Sequence, residues 1–159
     1  MLLLTPFFFA RIRSHLKDME VGIFPDPPGT KYTHMRWAIS GDGFRKLLKY
    51  IHDRYDPPGG IQVTENGLAL KNDESGQERI DFFNEYLGGM KKAIDEDGVR
   101  VSAYYAWSFM DNFEWSFGYS KRFGLVEVDY DTLERKPRPI AAWFTELMKG
   151  NKLPSSASA

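Results

Sequence analysis

The sequence contains no cysteine among its 159 residues, which excludes a disulfide scaffold and a metal site built on thiolates. It also contains no Asn-x-Ser/Thr sequon for N-glycosylation. Together the two absences weakly favour a reducing, cytoplasmic compartment.

Long hydrophobic runs are absent as well. The apolar start, "MLLLTPFFFA", has ten residues, about half of the roughly 20 that a membrane-spanning helix needs. A signal peptide ending at Ala10 is one interpretation, but no basic residue precedes the apolar stretch. We therefore prefer a buried strand or an arbitrarily cut chain end, and we expect no contact with a membrane.

Neither sign of charge dominates, because the formal net charge is −1 with 27% charged residues. This balance provides no electrostatic footprint for a nucleic acid or an anionic membrane. The three histidines, His15, His34 and His52, lack the spacing of metal ligands. The sequence therefore predicts no metal and no cofactor.

The hydrophobic pattern predicts helices alternating with strands. After a loop rich in proline and glycine at 21–35, an apolar stripe begins a helix near Ser40 or Asp42, and "DPPGG" (56–60) ends it. Apolar strands are predicted at 61–65 and 99–108. A second amphipathic helix lies between them, and a third follows an aromatic-rich loop and begins at Pro137 or Pro139.

This alternation predicts an α/β fold in which helices cover a parallel sheet. Only two or three strands are visible, whereas a closed barrel takes about 250 residues. The expected architecture is therefore an incomplete barrel domain over residues 1–153, irregular over 1–36, with a disordered tail at 154–159.

The first predicted strand, in "IQVTENG" (61–67), ends in a carboxylate. Its two-residue period puts Ile61, Val63 and Glu65 on one face. If that face points into a barrel, Glu65 lies at the carboxyl end of the strand, where barrel enzymes place their chemistry. The Asn66-Gly67 pair would then turn the chain away. The alternative for Glu65 is a solvated loop residue.

The second predicted strand leads to a similar arrangement. The same period places Val101, Ala103, Tyr105 and Trp107 on one face, and "SFMDNFEW" (108–115) then delivers Glu114 and Trp115. Two carboxylates and two indoles would meet at one barrel mouth. Sugars suit this mixture, since carboxylates accept hydroxyl hydrogen bonds and indole faces pack on pyranose C–H groups. In the same loop, Asp111 and Asn112 are expected to make local hydrogen bonds.

"VTENG" followed by "YYAWSFMDNFEWSFGYSKRFGLVEVDY" strongly resembles the carboxyl-terminal part of glycoside hydrolase family 1, the retaining β-glucosidases and their relatives. The resemblance covers about residues 37 to 149. It implies a (β/α)8 barrel of which this chain supplies helix 6, strand 7, helix 7, strand 8 and helix 8. "TPFFFARIRS" (5–14) is similar to the stretch after strand 6.

The resemblance also implies roles for individual residues. Glu65 matches the catalytic nucleophile that forms a glycosyl-enzyme ester. The expected sugar-binding residues are Glu114 on distal hydroxyls, Trp115 as an N–H donor, Trp107 under the glycone, Phe123 as a pocket wall and Trp37 beside the aglycone. Near Trp37 the sequence departs from the family pattern, because Gly41 stands where proline is usual.

The acid/base of this family lies in a T-x-N-E-P motif, which this sequence does not contain. Asn84-Glu85 falls inside a predicted helix. The expected function is a β-glycosidase acting on terminal β-linked sugars as part of a complete barrel, with a β-glycoside substrate and the missing amino-terminal barrel portion as partners. The alternatives are a catalytically inactive fragment, a sugar-binding remnant and a structural subdomain that completes another chain's barrel.

Overall fold

A computed structural model describes residues 26–70 and 76–150 of the chain. The apolar start, the 5–14 stretch, His15 and the tail at 154–159 lie outside the described residues. None of the described helices has the length and hydropathy needed to cross a bilayer. The elements, in chain order, are β1 (Lys31–Tyr32), β2 (Ala38–Ile39), α1 (Gly41–Tyr55), β3 (Ile61–Asn66), α2 (Gln77–Asp95), β4 (Val101–Ala106), a 3₁₀ turn (Trp115–Phe117), β5 (Val126–Val128), β6 (Arg135–Pro137) and α3 (Pro139–Gly150).

Helix α1 begins and ends where its sequence predicts. The Ser40 hydroxyl accepts a hydrogen bond from the backbone N–H of Gly43 at 3.0 Å, so Ser40 rather than Asp42 is the N-cap. At the other end Asp56 adopts a left-handed backbone, and its N–H bonds to the carbonyl of His52. Both ends are thus satisfied by local groups.

Strands β3 and β4 pair in parallel, and α2 is the crossover between them. One core lies between this pair and the helices, formed by Leu48, Val63, Ala93 and Val99. A second core joins α2 to α3 through Phe82, Phe83, Leu87, Ile140, Trp143 and Phe144, and it includes Leu68 and Leu70. The described residues thus form helices packed on one side of a two-stranded parallel sheet, without a closed barrel.

The predicted orientation of the strand faces is wrong. Ile61 and Val63 pack with Leu48 of α1, so they face the helices rather than a barrel interior. On the second strand Val101 also packs against this core, whereas Tyr105 is 57% exposed. In β3 the apolar Ile61 and Val63 alternate with the polar Gln62 and Thr64, but alternation alone does not reveal whether helices or a barrel interior cover the apolar face.

Helices α1 and α2 approach closely through two glycines. A Cβ on Gly89 would lie 2.3 Å from the carbonyl oxygen of Gly41, which leaves no room for a side chain. The Glu85 carboxylate accepts a hydrogen bond at 2.7 Å from the N–H of Gly41, at the start of α1. Glycine at position 41 therefore supplies a backbone N–H donor that the proline expected from the resemblance would lack.

The sequence pattern does not predict two short hairpins. Strands β1 and β2 pair antiparallel, and β1 lies in the stretch interpreted as irregular. Strands β5 and β6 also pair antiparallel, after the aromatic-rich loop. With two or three residues each, these strands are too short to show a period in the sequence.

Candidate functional site

Glu65 reaches the face opposite Val63 because β3 carries one extra residue. Between paired positions β3 advances three residues, Val63 to Asn66, while β4 advances two, Tyr104 to Ala106. Val63 packs in the helix-facing core, and the Asn66 side chain accepts a hydrogen bond from the Tyr104 hydroxyl at 2.7 Å. Thr64 and Glu65 between them are both exposed. Such a bulge re-aims a side chain, and here it turns Glu65 away from the helices.

The end of β3 is tied to the residue that follows β4. The N–H of Trp107 donates to the carbonyl of Asn66 at 2.8 Å. A Cβ on Gly67 would lie only 1.7 Å from the Trp107 carbonyl oxygen. Asn66 belongs to β3, and Gly67 does not adopt a left-handed backbone, so the pair does not form the Asn-Gly turn expected from the sequence. Gly67 is required instead for close approach of the two strand ends.

A buried ionic cluster closes the loop that follows Trp107. The Asp111 carboxylate is fully buried and accepts hydrogen bonds from the Arg138 guanidinium at 2.9 and 3.1 Å. It also accepts from the N–H groups of Gly124 at 2.9 Å and Val128 at 3.4 Å. The Asp111 carboxylate is hydrogen-bonded as predicted, but the prediction that these bonds are local is wrong, because the partners lie 13 to 27 residues away.

Glu114 lies inside this loop, and its carboxyl group is buried. Its backbone N–H bonds to the carbonyl of Gly118 at 2.7 Å, so the loop turns tightly around it. Burial raises the pKa of Glu114, the hydrogen bond from the Trp107 indole lowers it, and the charge of Glu65 raises it. Glu65 and the Trp107 indole thus both influence the pKa of the Glu114 carboxyl group.

One oxygen of the Glu114 carboxyl group, Oε2, is buried without a hydrogen-bond partner within the described residues. Buried polar atoms are nearly always paired, because an unpaired one loses its water without compensation. An unpaired acceptor beside an indole is suited to a donor from a bound molecule, such as a hydroxyl group.

Three of the predicted aromatic residues form one wall. Phe123 is buried with Met35 and Ala69, and Trp37 and Trp107 pack against this cluster. The rings of Trp37 and Phe123 lie 6.3 Å apart with a 39° tilt. The structure therefore brings together Trp107, Phe123 and Trp37, with Trp107 linking the wall to Glu114.

Trp115 stands apart from this wall. Its side chain is 80% exposed, and it begins the 3₁₀ turn with a positive φ of 46°. Phe113 in the same loop is 63% exposed. The indole of Trp115 is therefore exposed to solvent. A ligand could accept a hydrogen bond from its N–H only by approaching from the solvent side.

Sequence analysis missed Arg79, which belongs to α2 and is completely buried. Its guanidinium donates hydrogen bonds to the carbonyls of Leu68 and Phe123, and to that of Arg122. The available signal was its position four residues before Phe83, on the apolar face of the predicted helix, where a charged residue is unexpected.

The other acidic and histidine side chains considered for the site either bond to the protein backbone or do not lie together. Asn84-Glu85 lies in α2, and Glu85 is bound to the start of α1 rather than facing the site. Within residues 26–70 and 76–150, no three His, Asp or Glu side chains are arranged to hold a metal ion.

Comparison with known proteins relates this geometry to a family. The profile described as Glycosyl hydrolase family 1 matches residues 12–153. β-Glucosidase A of Acetivibrio thermocellus is 44% identical over 126 residues, which are 75% of this chain and 28% of that protein. β-Glucosidase 42 of Arabidopsis thaliana is 44% identical over 119 residues, 69% of this chain and 24% of that protein.

Solved structures agree with the sequence matches. The family 1 β-glucosidase of Thermotoga maritima superposes with a TM-score of 0.74 at 37% identity, over 82% of this chain and 30% of that one. The same enzyme in complex with glucoimidazole gives 0.74 at 38% identity, over 83% and 30%. The chain thus spans less than a third of these relatives and corresponds to the carboxyl-terminal part of a (β/α)8 barrel, as predicted. It belongs to glycosyl hydrolase family 1.

Proposed function

We propose that this chain supplies the nucleophile and part of the sugar pocket of a retaining β-glycosidase, acting on terminal β-linked sugars within a complete barrel. The single observation that carries the proposal is the buried, unpartnered Glu114 Oε2 beside the Trp107 indole, electrostatically coupled to Glu65. A sugar hydroxyl satisfies the unpaired acceptor, and the aromatic wall offers an apolar surface for ring C–H groups.

In the proposed reaction the Glu65 carboxylate attacks the anomeric carbon, and the bond to the leaving oxygen breaks as the ester forms. The leaving oxygen takes a proton from a second carboxylic acid, and water later cleaves the ester with that residue as base. Retaining enzymes hold the two carboxyl groups about 5–5.5 Å apart. Glu114 serves as a hydroxyl acceptor, so the second carboxylic acid comes from the rest of the barrel.

The remaining proposed roles follow the family pattern. Trp107 lies beneath the glycone and Phe123 forms the pocket wall, which agrees with their shared cluster. Trp37 flanks the aglycone from the edge of that cluster. Trp115 donates its indole N–H to the sugar from the exposed side of the loop.

A mechanism-based 2-deoxy-2-fluoroglycoside with an activated leaving group tests this proposal, because it traps the glycosyl-enzyme. We expect mass spectrometry to locate the label on Glu65 when the 159-residue chain is co-expressed with the amino-terminal portion of a family 1 relative. Glu65→Gln is the matched control, and we expect it to lower labelling by roughly 10³-fold or more. A label on any other carboxylate, or none in the complemented barrel, would refute the proposal.

A second candidate function is sugar binding without turnover. It is favoured by the commitment of Glu85 to helix α1, which leaves the Asn-Glu pair of this chain unable to act as an acid. Binding of glucoimidazole to the chain alone, measured by calorimetry, combined with no labelling in the complemented barrel, would support this alternative.

A further inference from the structure

Arg79 is a buried cation that connects the helix layer to both segments of the candidate site. Its side chain has no exposed surface. Nη1 donates to the carbonyl oxygen of Leu68 at 2.6 Å and to that of Phe123 at 3.1 Å, and Nη2 donates to that of Arg122 at 3.2 Å. Burying a charge is costly unless hydrogen bonds compensate it, so this arrangement is specific.

The acceptors belong to the two segments that carry the predicted site residues. Leu68 lies three residues after Glu65, and Arg122 and Phe123 end the loop that contains Glu114. The two segments also meet directly, since the N–H of Leu70 donates to the Arg122 carbonyl at 3.1 Å. Phe123 in turn accepts from the N–H of Ser108, next to Trp107, at 3.2 Å.

A guanidinium is suited to hold these carbonyls at a set separation. Its donors lie in a rigid plane, whereas a lysine ammonium is a point charge on a flexible stem. Arg79 extends from α2, which is itself fixed by the aromatic core around Phe82 and Phe83. The guanidinium thereby fixes the positions of Leu68 and Phe123 relative to a helix that is packed in a buried core.

We propose that Arg79 is a positioning residue: it holds the segment after Glu65 in register with residues 122–123, and so sets where Glu65 stands relative to the sugar pocket. The effect on the reaction rests on the proposed function, whereas the alignment of the segment after Glu65 with residues 122–123 does not. A misplacement of about 1 Å in an active site can cost about 10²-fold in rate. Arg79 therefore acts on the bond-forming step more than on sugar binding.

Hydrogen exchange on the full chain tests the register without any catalysis. In Arg79→Lys and Arg79→Gln we expect the amides of Leu70 and Ser108 to exchange about tenfold faster or more, with Val99, far from the site, unchanged. The matched control is Arg45→Gln, because Arg45 is also a paired arginine but binds Asp97 and Glu96 away from the site. It should leave all three amides as in the wild type.

Labelling by the fluoroglycoside tests the consequence in the complemented barrel. In Arg79→Lys we expect the inactivation rate constant to fall about 10- to 100-fold, with the initial dissociation constant within about threefold of the wild type. Unchanged exchange at Leu70, equal losses in rate and affinity, or unfolding of both Arg79 variants while Arg45→Gln folds would overturn the proposal. If the wild type is not labelled, the proposed function fails, and the exchange result still decides the role of Arg79.

Discussion

The two carboxylates of the candidate site are held in different ways. Glu65 is exposed at a strand end, and the backbone places it through the extra residue in β3 and the close contact of Gly67 with Trp107. Glu114 is buried in a loop, which is closed by the buried Asp111 carboxylate and Arg138. A strand end inherits its position from the sheet, whereas a loop needs long-range side-chain contacts to hold one conformation.

The ionic closure of the Glu114 loop should produce the largest effect. Replacing Asp111→Asn keeps the volume but leaves Arg138 without its buried anion, and we expect unfolding to become easier by about 3–5 kcal/mol. Urea denaturation measures this change. The control is Asp53→Asn, whose ion pair with Lys49 is exposed to water, so only a small change in stability is expected. Equal effects of the two substitutions would show that burial of Asp111 does not matter.

The strand end should be sensitive to a single methyl group. In Gly67→Ala the new Cβ would collide with the Trp107 carbonyl, so the strand ends must separate. We expect a loss of about 1–3 kcal/mol in the free energy of unfolding, and slower labelling of Glu65 in the complemented barrel. Gly59→Ala, where a Cβ meets nothing within 4 Å, is the control. Wild-type stability and labelling in Gly67→Ala would contradict backbone placement of Glu65.

A third glutamate sharpens the comparison because it belongs to neither segment. Glu85→Ala removes the acceptor for the Gly41 N–H, and we expect a loss of roughly 1 kcal/mol by thermal unfolding. Labelling of Glu65 in the complemented barrel should be unchanged. The control is Glu146→Ala on the exposed surface of α3. A labelling defect in Glu85→Ala would mean that the helix contact also influences the site.

The smallest effect concerns the pH dependence of stability. The folded state raises the pKa of Glu114, chiefly by burial, so it favours the protonated form more than the unfolded state does. This contribution is fully present below the ordinary glutamate pKa and is lost as the pH rises through the raised pKa. Wild type should therefore lose stability relative to Glu114→Gln across that window.

Urea unfolding of the wild type and Glu114→Gln between pH 4 and pH 8, at one buffer concentration, measures how the difference in their free energy of unfolding changes with pH. The substitution Glu65→Gln removes a charge that raises the pKa of Glu114. The pH range over which the protein loses stability should therefore move to lower pH. A stability difference that does not change with pH would show that Glu114 is not shifted.

Much of the fold could be predicted from local patterns. The cap at Ser40, the stop at Asp56 and the start of α3 at Pro139 depend on residues close in sequence. The orientation of Ile61 and Val63 could not be predicted, because a two-residue period marks the apolar face without showing which layer covers it. The bulge that turns Glu65 away from the helices arises from pairing with β4, where Ile61 is paired with Val101, and a two-residue period gives no sign of it.

The site shows the same division. Glu65, Trp107 and Glu114 were predicted from residue type and family motif, and Trp107 and Glu65 both influence the pKa of Glu114 in the structure. The partners of Arg79 and Arg138 could not be found, because they lie far from each arginine in the sequence, although the place of Arg79 on an apolar helix face was a signal of its burial. Their partners, Phe123 and Asp111, lie 44 and 27 residues away.

The sequence by itself determined the family, the alternation of helices and strands, and the identity of the acids and aromatic residues, since each of these depends on residue type or short-range order. Only the tertiary structure decided which way Glu65 points, why position 67 must be glycine, and which carbonyl groups the buried Arg79 contacts. These depend on contacts between residues far apart in the chain, and only packing brings such residues within hydrogen-bond distance.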